Sequence, residues 1–175
     1  MKIIDNFLPK QVWELFSRPD IWDGKHQAFW EIGKKPKNLF NQISYEIWKK
    51  YIEQTKTSAY GIETWTNQSI GPNESPLGWH TDKDEELYER TEEMAHPIYG
   101  AVLYGHTETP KGGLLQIGGE DGEEDVFVEP IPNRLILFNP SVRHKVCSLQ
   151  SGYRRTMATN LWNRKLETWR GEWIF

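Results

Sequence analysis

The chain has 175 residues, of which 37% are hydrophobic and 26% charged, and its formal net charge is −4. This length fits one domain with a substantial core, and the acidic balance argues against non-specific nucleic-acid binding, which needs a basic surface. The single cysteine, Cys147, excludes an intrachain disulfide and favours a reducing compartment, so we expect a cytoplasmic protein. No apolar run approaches the ~18 residues of a membrane span, and the N-terminus does not resemble a signal peptide.

The first third of the chain is predicted to be largely helical. KIIDNFLP predicts a short strand that ends at Pro9, and PKQVWELFSRP predicts a short helix closed by Pro19. Residues 38–55 predict a longer amphipathic helix that packs one face on a sheet. The apolar residues that recur there at helical spacing are Phe40, Ile43, Ile47, Trp48, Tyr51 and Ile52. His26 falls in this helical part, and we expect it at the surface.

After residue 58 the sequence changes to short β-prone runs separated by Gly, Pro and Asn. These runs predict strands at 59–66, 97–104, 114–117, 126–129, 135–138, 145–149 and 155–162. Helices followed by many short strands indicate a mainly β fold, a double-stranded β-helix (jelly roll) with an N-terminal helical layer. We therefore predict a single domain over 1–175, with a helical part over about 1–57 and a β-core over about 58–175.

The stretch GWHTDKDEE places His80 and Asp82 two residues apart. Side chains two apart on a strand project from the same face, so these two can act together as metal ligands. Chance alone produces about 0.7 matches of this kind in a chain with this many histidines and acidic residues, and His106-Thr107-Glu108 is a second match. A third ligand is needed to distinguish a metal site from two exposed polar residues.

His144 is the best placed of the remaining histidines. It follows the predicted strand 135–138 and a turn built on Asn139-Pro140-Ser141, and a ligand just past a rigid strand end is well positioned. Two histidines and one carboxylate form the facial triad of non-heme Fe(II) oxygenases, which leaves coordination positions open. The alternative is that His144 caps a turn while His80 and Asp82 stay exposed to solvent.

The stretch after His144 places Gly152 eight residues and Arg154 ten residues further along. A His-x-Asp pair, a distal His and a basic residue about ten positions later resemble the 2-oxoglutarate-dependent Fe(II) oxygenases, close to the prolyl 4-hydroxylase-like group. Three further stretches resemble this group in the same order, namely IIDNFLP, AVLYGHTETPKGGLLQI and NRLILFNPSVRH. The resemblance covers residues 2–162 and is weakest between 20 and 54.

The resemblance implies a dioxygenase that uses Fe(II), 2-oxoglutarate and O₂, assisted by ascorbate, with the His-Asp-His set as metal-binding and catalytic residues. In the family a basic residue binds the far carboxylate of 2-oxoglutarate, and the Arg154 guanidinium suits this role because it donates two parallel hydrogen bonds. Tyr104 matches a family position whose phenol reaches the same carboxylate. If Arg154 points inward, Thr156 shares its strand face and Arg155 points outward, but a slip of one residue would exchange the two arginines.

Some residues distinguish this chain within the family. Related halogenases replace the carboxylate ligand by Ala or Gly, so Asp82 implies hydroxylation. DNA-repair members carry a second Arg six residues after the first, and many other members carry an aromatic residue at about that position. This chain has Asn160 there, and Trp162 follows two residues later. The expected substrate is a peptide or a small molecule, with a prolyl residue as one candidate. We expect no nucleic-acid or membrane partner, and the sequence leaves the oligomeric state open.

Two other functions would use the same ligands. A non-catalytic cupin-type jelly roll would bind metal without needing Arg154, and a zinc-dependent hydrolase or isomerase would not need oxygen. Near the iron, Trp65 and Trp79 are candidates for a substrate pocket, with a place in the aromatic core as the alternative for each. The acidic stretch 83–93 is expected to be a solvated lid or loop.

Overall fold

The computed structural model describes residues 1–55, 59–72, 77–119 and 123–166, so the predicted boundary at 57–58 lies outside the described residues. Its helices are α1 (Lys10–Phe16), α2 (Leu39–Thr55) and α3 (Glu85–Thr91), with a 3-10 helix at Pro19–Trp22. The strands are β1 (Lys2–Ile4), β2 (Gln27–Glu31), β3 (Gly61–Ile70), β4 (Leu77–His80), β5 (Tyr99–Tyr104), β6 (Glu108–Gly112), β7 (Leu115–Ile117), β8 (Val126–Val128), β9 (Leu135–Phe138), β10 (His144–Val146) and β11 (Leu149–Trp162). Within these ranges, no helix is both long and apolar enough to cross a membrane.

Two antiparallel sheets make up the β-core. The major sheet has the order β1-β9-β5-β11-β3-β2, and β6 also pairs with β11. The minor sheet has the order β4-β10-β7-β8. Residues of both sheets meet in one apolar cluster, so the sheets pack face to face. The predicted double-stranded β-helix with a helical layer is confirmed.

Strand β9 shows how the major sheet separates two cores. Leu135 and Leu137 belong to the cluster beneath the helices, whereas Ile136 and Phe138 belong to the cluster between the sheets. Alternate residues of a strand face opposite sides, so the run LILF is buried on both faces. Ala158 on β11 lies in the cluster between the sheets. The even-numbered residues around Ala158 therefore face the interior of the jelly roll.

Helix α2 covers the outer face of the major sheet, as its sequence pattern predicts. Four of its apolar residues are buried, namely Phe40, Ile43, Ile47 and Trp48. Burial of each such side chain stabilises the fold by about 1.5–3 kcal/mol. The indole N–H of Trp48 donates to the hydroxyl of Thr159 on β11 at 3.0 Å, which satisfies the one polar atom of that side chain.

The N-terminal part contributes strands to the major sheet as well as helices. The pairing of β1 with β9 follows the predicted first strand, but β2, which pairs with β3, was not predicted. Phe29 and Trp30 are buried in two different clusters, so β2 lacks the apolar–polar alternation of a half-exposed strand. His26, expected at the surface of the helical part, is half-buried and lies directly before β2. Its Nε2 lies 3.1 Å from Oδ1 of Asn41, and its ring stacks on Phe40.

Within the β-core, two predicted strands need correction, and β4, which carries His80, was not among the predicted strands. The predicted strand 145–149 is the shorter β10, and the final strand, predicted for 155–162, is the 14-residue β11. The start of β11 is hidden in the sequence because Gly152, which has a positive φ of 79°, interrupts the β-prone pattern. Strand β6 was not predicted, because its ETPKG sequence consists mainly of residues typical of turns.

The acidic stretch 83–93, expected to be a solvated lid or loop, is largely exposed but contains the short helix α3. Asp84 is 1% exposed, and its side chain accepts a hydrogen bond from the backbone N–H of Leu87, which caps α3. Leu87 is itself buried. The two residues anchor α3 directly after the predicted ligand Asp82.

Candidate active site

The three predicted metal ligands lie together at one end of the minor sheet. His80 ends β4, His144 begins β10, and the two are cross-strand partners. Oδ1 of Asp82 lies 3.6 Å from Nε2 of His80 and 3.5 Å from Nε2 of His144. The three candidate ligand atoms fall within 4.8 Å of one another. A divalent ion with ligand distances of about 2.0–2.2 Å fits such a set of two imidazoles and one carboxylate.

Both imidazoles are oriented by the backbone immediately before them. Nδ1 of His80 lies 2.9 Å from the carbonyl oxygen of Gly78, and Nδ1 of His144 lies 2.9 Å from that of Val142. A carbonyl can only accept, so each neutral ring carries its proton on Nδ1. Each Nε2 then presents a lone pair toward Asp82, which is the arrangement that metal-binding histidines require.

Asp82 is held by three hydrogen bonds from other parts of the chain. Its backbone N–H donates to the carbonyl of Pro140 at 3.0 Å, and its own carbonyl lies 2.6 Å from Nδ1 of His96. Its Oδ2 accepts a hydrogen bond from Nδ2 of Asn160 at 3.0 Å. Sequence reasoning assigned no role to His96 or Asn160. The one available signal was Asn160 itself, a polar residue at a position where the resemblance to the family implies Arg or an aromatic side chain.

The electrostatics of the cluster suit a cation. Burial works against the charged carboxylate, but the hydrogen bond and charge of His144 outweigh it and hold the pKa of Asp82 below its usual value. Burial also works against the His144 imidazolium, but Asp82 raises the pKa of His144 above its usual value. Burial lowers the pKa of His80. Asp82 is therefore an anion at neutral pH, and its charge attracts either a proton on His144 or a metal ion in its place.

Arg154, Tyr104 and Thr156 lie together in the interior of the jelly roll. Thr156 is the cross-strand partner of Tyr104, and the Arg154 guanidinium carbon lies 5.3 Å from the centre of the Tyr104 ring. All three residues are at most 3% exposed. Within the described part of the chain, Nε of Arg154 and the hydroxyl of Tyr104 are buried with no hydrogen-bond partner of normal geometry. A buried cation and hydroxyl in this state are suited to binding an anionic group.

The two neighbouring arginines face opposite sides of β11. Arg154 shares the side of Ala158, which lies in the core between the sheets. Nε of Arg155 donates to Oε1 of Gln68 at 2.7 Å in an exposed hydrogen bond, and its guanidinium lies over the ring of Tyr153. The arginine beside Tyr104 is therefore Arg154.

The competing His-x-acid pair lies elsewhere. His106 is exposed, with its ring centroid 5.9 Å from that of Tyr153, and Glu108 is an exposed residue at the start of β6. Among the described residues, the cluster of three possible metal ligands consists of His80, Asp82 and His144.

The two tryptophans near the ligands have different surroundings. Trp65 packs against the cluster between the sheets and therefore faces the interior. Trp79 is 40% exposed, and its ring contacts the cationic groups of Arg143 and Lys145 at 4.6 and 4.9 Å. These two cations flank His144 in sequence and point away from the ligand cluster. Of the two tryptophans, Trp65 is thus the one that faces the ligands' side of the fold.

Comparisons with known proteins agree with this geometry. The 2OG-Fe(II) oxygenase superfamily profile matches residues 66–163. A prolyl-4-hydroxylase from Pseudomonas putida has 17% identity and a TM-score of 0.66, with 94% of this chain and 92% of that chain covered. A truncated viral collagen prolyl hydroxylase from Paramecium Bursaria Chlorella virus-1 has 12% identity and a TM-score of 0.64, with coverages of 94% and 90%. Among curated protein sequences, none matches the chain significantly.

One of the similar structures contains iron. HygX from Streptomyces hygroscopicus with iron bound has 14% identity and a TM-score of 0.60, and the match covers 92% of this chain and 81% of that chain. At such identities the structural likenesses show the shared fold, whereas the profile match spans more than half of the chain. The chain belongs to the 2OG-Fe(II) oxygenase superfamily and is an oxygenase that uses Fe(II), 2-oxoglutarate and O₂.

Proposed function

We propose that His80, Asp82 and His144 bind Fe(II), and that Arg154, with Tyr104 and Thr156, binds the far carboxylate of 2-oxoglutarate. The observation that carries this proposal is the buried Arg154–Tyr104 pair, in which Nε of Arg154 and the hydroxyl of Tyr104 have no hydrogen-bond partner of normal geometry among the described residues. Burying a guanidinium costs free energy unless an anion accompanies it. A dicarboxylate that reaches from this pair toward the triad supplies that anion.

The arrangement of β11 supports one continuous site. Arg154, Thr156, Ala158 and Asn160 share the interior face of the strand, and the side chain of Asn160 contacts Asp82. The row therefore leads from the proposed carboxylate site to the triad. A cosubstrate bound along this row would have one end at a fixed guanidinium and its other end near the proposed iron ligands.

Each residue of the proposed site has its own role in the reaction. Arg154 fixes the cosubstrate by two parallel hydrogen bonds, and the hydroxyls of Tyr104 and Thr156 complete the site for that carboxylate. The three proposed ligand residues would hold the metal and leave coordination positions open for the cosubstrate and O₂. When iron and 2-oxoglutarate are bound, they supply the oxidative chemistry of the family, in which O₂ is consumed, 2-oxoglutarate becomes succinate and CO₂, and a substrate C–H bond is hydroxylated.

The proposed substrate is a peptide or a small molecule, and a prolyl residue in a peptide is the first candidate. The names of the Pseudomonas putida and viral neighbours support a prolyl side chain. Retention of Asp82 at the carboxylate position supports hydroxylation as the outcome.

The first experiment measures cosubstrate binding. Purified protein is loaded with Fe(II) under anaerobic conditions and titrated with 2-oxoglutarate, and we expect a metal-to-ligand charge-transfer band in the visible spectrum. Absence of the band with fully metal-loaded protein would contradict the proposal. It would favour the cupin-type alternative, in which metal alone stabilises the fold.

The second experiment identifies the substrate. Proline-containing peptides are incubated with enzyme, Fe(II), 2-oxoglutarate, O₂ and ascorbate, and the products are analysed by mass spectrometry for one added oxygen atom. Matched peptides with alanine in place of proline, and reactions without ascorbate, are the controls. Equal oxygen addition to both peptide sets would contradict the choice of proline and leave oxygenase activity intact.

A further inference from the structure

We propose that Asn160 is a positioning residue that restricts Asp82 to a single ligand oxygen. This inference rests on the proposed role of Asp82 as an iron ligand. It assigns a task to a residue at which this chain departs from its relatives, and it explains the polar network buried behind the triad.

The two oxygens of Asp82 have different surroundings. Oδ1 faces the histidine pair at 3.6 and 3.5 Å, whereas Oδ2 accepts the hydrogen bond from Nδ2 of Asn160 at 3.0 Å. A carboxylate can bind a metal through one oxygen or through both. Because Asn160 engages Oδ2, Oδ1 alone remains directed at the position that both imidazoles face.

The orientation of the Asn160 amide follows from its neighbours. Its NH₂ group has two donors, one for Asp82 and one for Glu63, which also accepts a side-chain hydrogen bond from Asn160. A reversed amide would direct its carbonyl oxygen at the negatively charged carboxylate of Asp82. On the other side, a methyl group at Gly100 would lie 3.1 Å from Oδ1 of Asn160, so the amide is closely packed there as well.

Glu63 and Trp162 hold the amide in place from behind. Glu63 is the cross-strand partner of Asn160, and its Oε2 accepts a hydrogen bond from Nε1 of Trp162 at 3.1 Å. Asn160 and Trp162 are 2% and 1% exposed. The network therefore runs from Trp162 through Glu63 and Asn160 to Asp82, within a rigid part of two long paired strands.

Loss of this contact has a specific consequence for the metal site. Without Asn160, Oδ2 becomes free to turn toward the ion or toward water, and the carboxylate is no longer held in one orientation. Partners of metal ligands in other proteins contribute about 10–100-fold to metal affinity. We expect a loss of this size when Asn160 is replaced.

The test compares three substitutions of Asn160 with a control on the other face of the same strand. Asn160→Ala removes the donor, Asn160→Asp keeps the shape but adds a negative charge, and Asn160→Ser keeps a single donor. Thr159→Val removes a buried hydroxyl that contacts Trp48 and Thr64, so it perturbs the fold away from the triad. Each protein is measured by anaerobic titration with Mn(II) alone, by the Fe(II)–2-oxoglutarate charge-transfer band, and by thermal unfolding without metal.

Asn160→Ala is expected to raise the Mn(II) dissociation constant about 10–100-fold and to shift the band. Asn160→Asp should have the larger effect and Asn160→Ser the smaller one. Thr159→Val should lower the melting temperature and leave the Mn(II) dissociation constant at the wild-type value. The inference is overturned if Asn160→Ala binds Mn(II) as wild type does, or if Thr159→Val weakens Mn(II) binding equally.

These outcomes are separable from failure of the proposed function. If wild type binds Mn(II) but gives no band with Fe(II) and 2-oxoglutarate, the cosubstrate site is wrong, and the Mn(II) titrations still decide the role of Asn160. If wild type gives the band and the Asn160 variants match it in both affinity and spectrum, the oxygenase site stands and the positioning role is rejected.

Discussion

The guanidinium of Arg154 lies 5.3 Å from the centre of the Tyr104 ring, and both side chains are buried between the two sheets. The sequence separates them by fifty positions, and pairing of β5 with β11 brings them together. A cation and a phenol buried in this way suit the anion site proposed above, and the two residues can be tested independently.

Arg154→Ala is expected to weaken 2-oxoglutarate binding strongly, because truncating one partner of a buried charged pair costs about 2–5 kcal/mol. The dissociation constant, measured from the anaerobic charge-transfer band, should rise about 30-fold or more. Arg155→Ala is the matched control, since its guanidinium faces the other side of β11 and bonds Gln68. Equal losses in the two variants would refute the assignment of Arg154 to the cosubstrate.

Tyr104→Phe separates binding from folding. The hydroxyl lacks a partner of normal geometry within the described ranges, so the metal-free variant should be at least as stable as wild type in denaturant unfolding. If the hydroxyl bonds 2-oxoglutarate, the dissociation constant should rise about fivefold to tenfold, as for one hydrogen bond of about 1–1.4 kcal/mol. A large drop in stability, with cosubstrate affinity unchanged, would indicate a purely structural role for this hydroxyl.

Asp82→Ala is expected to abolish metal-dependent stabilisation and succinate production. An ion present at 100 times its dissociation constant adds about 2.7 kcal/mol to the stability of wild type. For a chain of this size, that corresponds to a melting-temperature increase of roughly 5–10 °C. The variant should show no increase with Mn(II), because two neutral imidazoles remain. Glu108→Ala, in the competing His-x-acid pair, should behave as wild type. If Glu108→Ala abolished the increase and Asp82→Ala retained it, the assignment of the metal site to Asp82 would be wrong.

The contribution of Glu63 to the stability of the metal-free protein should fall as pH rises from about 4.5 to 7. Burial raises the pKa of Glu63 to about 7, and the negative charges of Asp82 and Asp84 add to this effect. The hydrogen bonds from Trp162 and Asn160 oppose it. Between the unfolded and folded pKa values, the folded protein binds a proton that the unfolded chain lacks, so folding is favoured at the acidic end. Glu63→Gln cannot titrate and should flatten this slope in urea unfolding measured at several pH values. An unchanged slope would show that Glu63 ionises normally.

The fold could be predicted from the sequence where a local pattern of apolar residues already reflects the final helix or strand. The helical spacing from Phe40 to Trp48 and the run LILF of β9 both reflect burial against neighbours, and both elements appear where predicted. Strands β2, β4 and β6 and the start of β11 were missed. Strand β2 lacks apolar–polar alternation, and the other three segments contain Gly or Pro. Pairing with β3, β10 or β11 supplies the stabilisation that local propensity lacks.

The sequence by itself determined which side chains could serve as ligands, because the order and spacing of His80, Asp82, His144 and Arg154 are properties of the chain. Only the tertiary structure decided which arginine faces the interior, because the side of β11 on which each residue lies depends on the register of this strand with β3 and β5. It also decided the surroundings of Asp82. His96, in the segment after α3, contacts the backbone carbonyl of Asp82, and Asn160 on β11 contacts its carboxylate. Such contacts between residues far apart in sequence leave no local pattern, so they become visible only when the strands have paired.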